Sequence, residues 1–117
     1  MTFIKELPDK PSFSQKGLDG FKYLLQNKKV DINIVEVHQG HDNYIISKKC
    51  THFYYILEGT GEFDVKGEKY QVNPGMLIEI PTEIEYTYSG KMKILLITEP
   101  PWFEGNEKMT KPNQDIK

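Results

Sequence analysis

The spacing of apolar residues is that of β-strands along most of the chain. From Val30 to Val35 apolar side chains recur at alternate positions, and residues 51–57 form a run of aromatic and β-branched residues. A period of two is typical of a strand, and an unbroken apolar run of this length is typical of a strand buried on both faces. Both segments are therefore predicted to be strands.

Turn-forming residues divide the chain after residue 57 into short segments of similar length. These turn signals are Glu58-Gly59-Thr60-Gly61, Lys66-Gly67, Asn73-Pro74-Gly75 and Ser89-Gly90. The segments between and after them predict strands at Glu62–Val65, Lys69–Val72, Met76–Ile80, Glu85–Tyr88 and Lys93–Thr98. Many short strands with almost no helical periodicity predict an all-β sandwich or closed barrel.

The two ends of the chain are less regular than its centre. Residues 1–29 carry several prolines and glycines and are predicted to form an N-terminal segment that packs on the barrel. Residues 30–102 are predicted to form the barrel, and the polar residues 103–117 to form an irregular tail. Trp102 and Phe103 are expected to cover the open end of the barrel or to pack on a second copy of the chain.

The amino-acid composition argues against several classes of binding partner. The 117 residues suffice for one domain, and the formal net charge of −2 gives no electrostatic reason to expect nucleic acid or membrane binding. All 15 basic residues are lysine, so the bidentate arginine contacts common at phosphate sites are missing. The single cysteine, Cys50, is expected to be buried, and the chain is expected to be cytoplasmic with a small-molecule ligand.

Two short motifs resemble those of the cupin superfamily. The first is Tyr54-Tyr55-Ile56-Leu57-Glu58-Gly59, and the second begins at Gly75 and reaches Pro81 six residues later. The resemblance extends from about Glu36 to Trp102. It implies a small single-domain cupin, an all-β double-stranded β-helix, or jelly roll, whose barrel encloses one pocket.

The metal-binding positions of cupins are largely replaced in this sequence. By the resemblance, the carboxylate position falls on His52 and the last histidine position on Tyr86. The two remaining histidine positions fall on Ile46 and Lys48, or on Ile45 and Ser47 if the spacer is one residue longer. A divalent metal ion needs about three good protein ligands. The resemblance therefore implies degenerate motifs with no resident metal or other cofactor.

The same alignment of motifs predicts which side chains face the pocket. His52, Tyr86 and Lys48 are predicted to be catalytic, with His52 as acid or base and a tyrosine as hydrogen-bond donor. Lys48 has two interpretations, a pocket residue that acts as base or anion anchor and a solvated residue of an exposed strand edge. The predicted ligand-binding residues are Tyr54, Tyr88, Ile46 and Ile56.

Three functions are compatible with this set of residues. The first is a metal-independent isomerase, epimerase or lyase that acts on a small carbohydrate or a keto or hydroxy compound. The second is a non-catalytic module that binds or senses a carbohydrate. The third is a divergent metalloenzyme, such as a dioxygenase, with His38, His41 or Tyr86 as unorthodox ligands. His38 and His41 could also form a metal site together with His52, although His41 lies in a predicted turn where histidines are usually solvated. A homodimer is expected in each case.

Overall fold

The computed structural model describes residues 3–117, which form nine β-strands. In chain order these are β1 (Phe13–Gln15), β2 (Leu18–Lys22), β3 (Asp31–Val37), β4 (Asn43–Ser47), β5 (Thr51–Val65), β6 (Glu68–Val72), β7 (Leu77–Ile80), β8 (Glu85–Glu99) and β9 (Glu107–Pro112). All paired strands are antiparallel, and the all-β barrel predicted from the sequence is confirmed.

The two long strands β5 and β8 pair along almost their full length and pass through both halves of the barrel. In one half the order is β1-β2-β3-β8-β5-β7, and in the other it is β6-β5-β8-β4-β9. The apolar core lies between these two halves. Among residues 3–117 no helix is long and apolar enough to cross a membrane.

Two of the predicted turns are bends inside the long strands. Gly59 lies in β5 and Gly90 in β8, both with positive φ (82° and 133°). A side chain at Gly90 would place its Cβ 2.6 Å from the Cα of Gly61, so the two backbones cross at a distance that only glycine permits. The glycines thus mark the corner of the barrel, whereas the turns at Lys66-Gly67 and Asn73-Pro74-Gly75 connect strands as predicted.

The prediction of an irregular tail is wrong for part of residues 103–117. Strand β9 pairs with β4 over five residue pairs, from Asn43–Pro112 to Ser47–Glu107. Asn106 anchors its start, because its side-chain Oδ1 accepts the Lys49 backbone N–H at 2.8 Å and its Nδ2 donates to Ser47 Oγ at 2.9 Å. The N-terminal segment also joins the sheet, through β1 and β2.

Candidate functional site

A cavity of about 400 Å³ opens between the two halves of the barrel. Its walls come from strands β1 to β5, the loop before β4, β8 and the start of β9, with Trp102 at the border. A second, more open groove of about 460 Å³ lies beside it, along residues 22–28. That groove is lined by no histidine and by one carboxylate, Asp31, so the barrel cavity is the better candidate for acid/base chemistry.

Strand pairing arranges the inward side chains of the first half in layers. Asp31, Thr98 and His52 form the outermost layer, and Asn33, Leu96 and Tyr54 form the next. The layer below contains Val35, Ile94 and Ile56. Polar residues therefore occupy the open end of the barrel, and aliphatic residues fill the closed end.

A cluster of tyrosines lies across the cavity floor. The hydroxyl groups of Tyr54 and Tyr86 are hydrogen-bonded at 2.5 Å, and the Tyr54 and Tyr88 rings lie 5.4 Å apart. Burial raises the pKa of all three tyrosines well above the ordinary value. The hydroxyl groups therefore keep their protons at neutral pH, and those of Tyr54 and Tyr88, which line the cavity, are placed to form hydrogen bonds with a ligand.

His41 is buried beside the tyrosines rather than solvated, contrary to the sequence-based expectation. Its Nδ1 lies 2.9 Å from the Asn43 carbonyl oxygen, which can only accept, and 3.3 Å from the Asn43 backbone nitrogen, which can only donate. We assign the hydrogen to Nδ1 because the contact with the carbonyl is the shorter one. Its Nε2 then has a free lone pair, which accepts from the Gln15 side-chain amide at 3.2 Å. Burial lowers the pKa of His41. The result is a neutral imidazole with a fixed tautomer, the form a general base requires.

The loop that carries His41 is held by contacts from both halves of the chain. The His41 backbone N–H donates to the Tyr88 carbonyl at 2.9 Å, and the Asn113 side chain donates to the His41 carbonyl at 3.0 Å. The rings of His41 and Tyr88 meet edge to face with centroids 5.8 Å apart. The C-terminal residues therefore help to position the imidazole.

His52 faces a buried carboxylate that the sequence analysis did not identify. Its Nε2 lies 3.7 Å from Oε2 of Glu107 at the start of β9. Burial lowers the pKa of His52 to about 4, an effect that the Cys50 carbonyl partly offsets, and the neighbouring His41 lowers it further. Burial also raises the pKa of Glu107, partly offset by a hydrogen bond from Trp102. Both shifts favour the neutral forms, so we interpret the contact as a polar pair and not an ion pair.

Two of the predicted pocket residues do not reach the cavity. Lys48 is exposed and Ile46 is half-buried, because the register of β4 turns Ile45 and Ser47 inward. This is the longer of the two spacings considered for the first motif. The prediction that Lys48 and Ile46 line the pocket is therefore wrong, and Lys48 belongs to a solvated edge.

The other predicted residues face inward, at different depths. His52, Tyr54 and Tyr88 line the cavity, whereas Tyr86 lies behind Tyr54 and contacts it through the hydroxyl pair. Ile56 points inward but is fully buried in the core and does not line the cavity, so the structure does not support its prediction as a ligand-binding residue. The roles of the inward residues in catalysis or binding stay predictions.

The structure brings only two of the three histidines together. His41 and His52 line the cavity, but His38 is exposed and contacts Asp19 at 3.0 Å. Within residues 3–117 no three histidine, cysteine, aspartate or glutamate side chains converge in a way that could hold a metal ion. The hypothesis of a metal site built from all three histidines is therefore wrong for this arrangement.

The fold and this site define a small barrel protein with an internal cavity lined by histidine and tyrosine side chains. A family model described as "Cupin domain" matches residues 33–97, more than half of the chain, and the chain belongs to this family. No curated protein sequence matches the chain.

Solved structures that resemble this one include two proteins described as enzymes and a third known by name. Pac13 from Streptomyces, described as a nucleoside dehydratase, superposes with a TM-score of 0.82 at 22% identity, covering 95% of this chain and 88% of that chain. Ectoine synthase from P. lautus has a TM-score of 0.66 at 22% identity, covering 86% and 81%. KdgF from Halomonas sp. has a TM-score of 0.66 at 14% identity, covering 81% and 86%. At these identities the likeness concerns the fold.

Proposed function

We propose that this chain is a metal-independent lyase that removes water from a neutral β-hydroxy aldehyde or ketone of sugar or nucleoside size. The observation that carries the proposal is the His41 imidazole, neutral, fixed in one tautomer and in contact with Tyr88 in the cavity wall. Such an elimination needs one group that removes a proton next to a carbonyl and a second that protonates the leaving hydroxyl.

The residues of the cavity are assigned to these tasks as follows. His41 Nε2, from which the substrate displaces the Gln15 amide, takes the proton from the carbon next to the carbonyl. The electron pair moves onto the carbonyl oxygen, where the Tyr54 hydroxyl, itself paired with Tyr86, stabilises the enolate. His41 thus takes the role of base that the sequence suggested for His52, since a pKa of about 4 makes His52 a weak base at neutral pH.

The second half of the reaction expels the hydroxyl group. As the carbonyl re-forms, the bond between the β-carbon and oxygen breaks, and Tyr88 gives its proton to the leaving hydroxide. Hydroxide is a strong base, so a hydroxyl group with a raised pKa can still protonate it. The proton on His41 then returns to Tyr88. The products are an unsaturated carbonyl compound and water, with no net oxidation or reduction.

Residue spacing shared with Pac13 supports this assignment. Structures of that protein with uridine carry a replaced histidine in one case and a replaced tyrosine in two others. In its sequence the histidine precedes the first tyrosine by 13 residues, and the second tyrosine follows 34 residues later. His41, Tyr54 and Tyr88 have the same residue types at the same spacing.

The test is turnover on a panel of sugar and nucleoside β-hydroxy aldehydes and ketones. Product is followed by the absorbance of the unsaturated carbonyl, and proton removal by exchange of the α-hydrogen in D₂O. We expect His41→Gln to lower kcat by about 10²-fold or more, the usual contribution of a general base. His38→Gln is the matched control, since His38 is exposed and contacts Asp19, and it is expected to change kcat by less than about 2-fold.

Two other outcomes would replace this proposal. Equal kcat in wild type and His41→Gln would remove His41 from the mechanism. Ligand binding without turnover or α-hydrogen exchange on any compound would favour a non-catalytic carbohydrate-binding or sensing module.

The homodimer also stays a prediction, tested by sedimentation. Tyr55 and Leu77, paired across β5 and β7 and both exposed, are the apolar residues such an interface would cover.

A further inference from the structure

Asn33 on β3 has a polar atom that the described part of the chain leaves unpaired. The residue is 5% exposed and lines the cavity, and its Oδ1 is buried with no hydrogen-bond partner among residues 3–117. A buried acceptor without a partner is costly, so such atoms in a pocket wall are usually satisfied by a ligand or by ordered water. Asn33 therefore points to a contact that a bound molecule supplies.

The neighbours of Asn33 have other partners. Lys22, its partner across β2, contacts Asp31 at 3.2 Å, and Asp31 also accepts the Trp102 backbone N–H at 3.0 Å. Leu96, its partner on β8, has no polar side-chain atom. The Asn33 side chain is thus left facing the cavity without competition from its own sheet.

The remaining unpaired buried atoms are less informative about a ligand. The Gln15 side chain already uses its amide nitrogen at His41, and the His52 ring interacts with the Cys50 backbone and lies near the Glu107 carboxyl group. Asp64 also has an unpaired oxygen, but its side chain does not line the cavity. Among residues 3–117, Asn33 is therefore the cavity residue whose unpaired atom most directly calls for a partner from a bound molecule.

The walls around Asn33 suit a flat, uncharged ring. Tyr54 occupies the same layer of the barrel, and Trp102 borders the cavity. Aromatic side chains in such positions stack on planar heterocycles. A carboxamide presents an acceptor beside donors, and it pairs in two-point fashion with a ring edge that has an N–H beside a C=O.

We propose that Asn33 determines substrate specificity by pairing with an N–H/C=O edge of a heterocyclic base. This narrows the substrate from sugars in general to nucleosides with a uracil-type ring. The inference deepens the proposed function and rests on its assignment of the barrel cavity as the substrate site.

The experiment is calorimetric titration of the full chain with uridine and with N3-methyluridine. Both probes lack a carbonyl on the sugar, so the readout does not depend on turnover. In wild type we expect methylation of N3 to weaken binding by about 10-fold, because Asn33 loses its donor partner. Asn33→Leu should bind uridine about 10-fold more weakly and bind both probes with Kd values within about 2-fold of each other.

A second variant protects the test against misfolding. Thermal unfolding establishes whether Asn33→Leu is folded, and Asn33→Asp is used if it is not. The aspartate keeps the acceptor for N–H and loses the donors, so it should bind uridine more weakly than wild type yet still prefer uridine over N3-methyluridine.

The outcomes separate this inference from the proposed function. The same preference for uridine in wild type and Asn33→Leu would overturn the role of Asn33, as would wild type that binds the two probes equally. Wild type that binds neither probe would overturn the nucleoside assignment, while loss of sugar-carbonyl turnover in His41→Gln would still support the elimination. If uridine binding depends on Asn33 but no carbonyl compound is turned over, the role of Asn33 in binding would be supported and the proposed lyase activity would be rejected.

Discussion

The two ends of the barrel use the same strands for different purposes. Along β3 the inward residues change from Asp31 and Asn33 at the open end, through Val35 at the bottom of the cavity, to Val37 in the core. Along β5 they change in the same way, from His52 at the open end to the fully buried Ile56. Backbone pairing is continuous throughout, so the strand scaffold does not distinguish the ends. The inward side chains alone decide which end is solid core and which is pocket.

The largest effect on stability is expected from a substitution that creates a cavity in the closed end of the barrel. Ile56→Ala removes a fully buried side chain and leaves a cavity among Val35, Ile94 and their neighbours. We expect a loss of about 2–5 kcal/mol in the free energy of unfolding, measured with urea. Ile56→Val, which removes one methylene, should cost about 0.5–1.5 kcal/mol and leave ligand affinity unchanged. A large change in affinity with Ile56→Val would place this residue in the binding site after all.

At the open end, the removal of one hydroxyl group is expected to lower kcat much more than the free energy of unfolding. Tyr88→Phe keeps the ring stacked on Phe63, at a centroid distance of 5.0 Å, and removes only the hydroxyl. We expect kcat for water elimination to fall by about 10²-fold, while the free energy of unfolding changes by about 1 kcal/mol or less. Full activity in the folded variant would assign the acid role to another group.

Acid pH is expected to lower the free energy of unfolding, because His52 is buried at the open end of the barrel. The pKa of His52 is about 4 in the folded chain and near 6.5 when unfolded, so the unfolded state binds more protons between these values. Stability from neutral His52 is therefore present above pH 6.5 and is lost as pH falls toward 4. The lowered pKa of His41 acts in the same direction, and the raised pKa of Glu107 opposes it.

The variant that isolates this effect is His52→Gln. Between pH 6.5 and 4 its free energy of unfolding should fall by roughly 2 kcal/mol less than that of wild type. His38→Gln, at an exposed position, should follow the wild-type curve. Parallel curves for wild type and His52→Gln would show that His52 does not titrate with an altered pKa.

The smallest effect is expected at Lys48. This side chain is exposed in the connection that follows β4 and does not line the cavity, so Lys48→Ala should change the free energy of unfolding by about 0.5 kcal/mol or less. Turnover and uridine affinity should match those of wild type. A loss of kcat with unchanged stability would restore Lys48 to the site and contradict the register of β4.

The sequence predicted more of the site on the long strands than in the connections. Alternation from His52 correctly placed Tyr54 on the cavity side, because a strand alternates faces whatever surrounds it. The position of His41 was not predicted, since a turn has no such periodicity and its burial depends on Asn113, 72 residues away. Glu107 was missed for the same reason, as it belongs to a polar segment that becomes a strand only by pairing with β4.

What the sequence determined by itself was the all-β class, the family, the turn at Asn73-Pro74-Gly75 and the inward faces of β5 and β8. These follow from local properties, namely side-chain alternation, the conformational freedom of glycine and the spacing between short motifs. Only the tertiary structure decided the register of β4, the burial of His41 and the arrival of Glu107 beside His52. Those features depend on pairing between residues far apart in the chain, and a shift of one residue in register reverses every side chain of a strand.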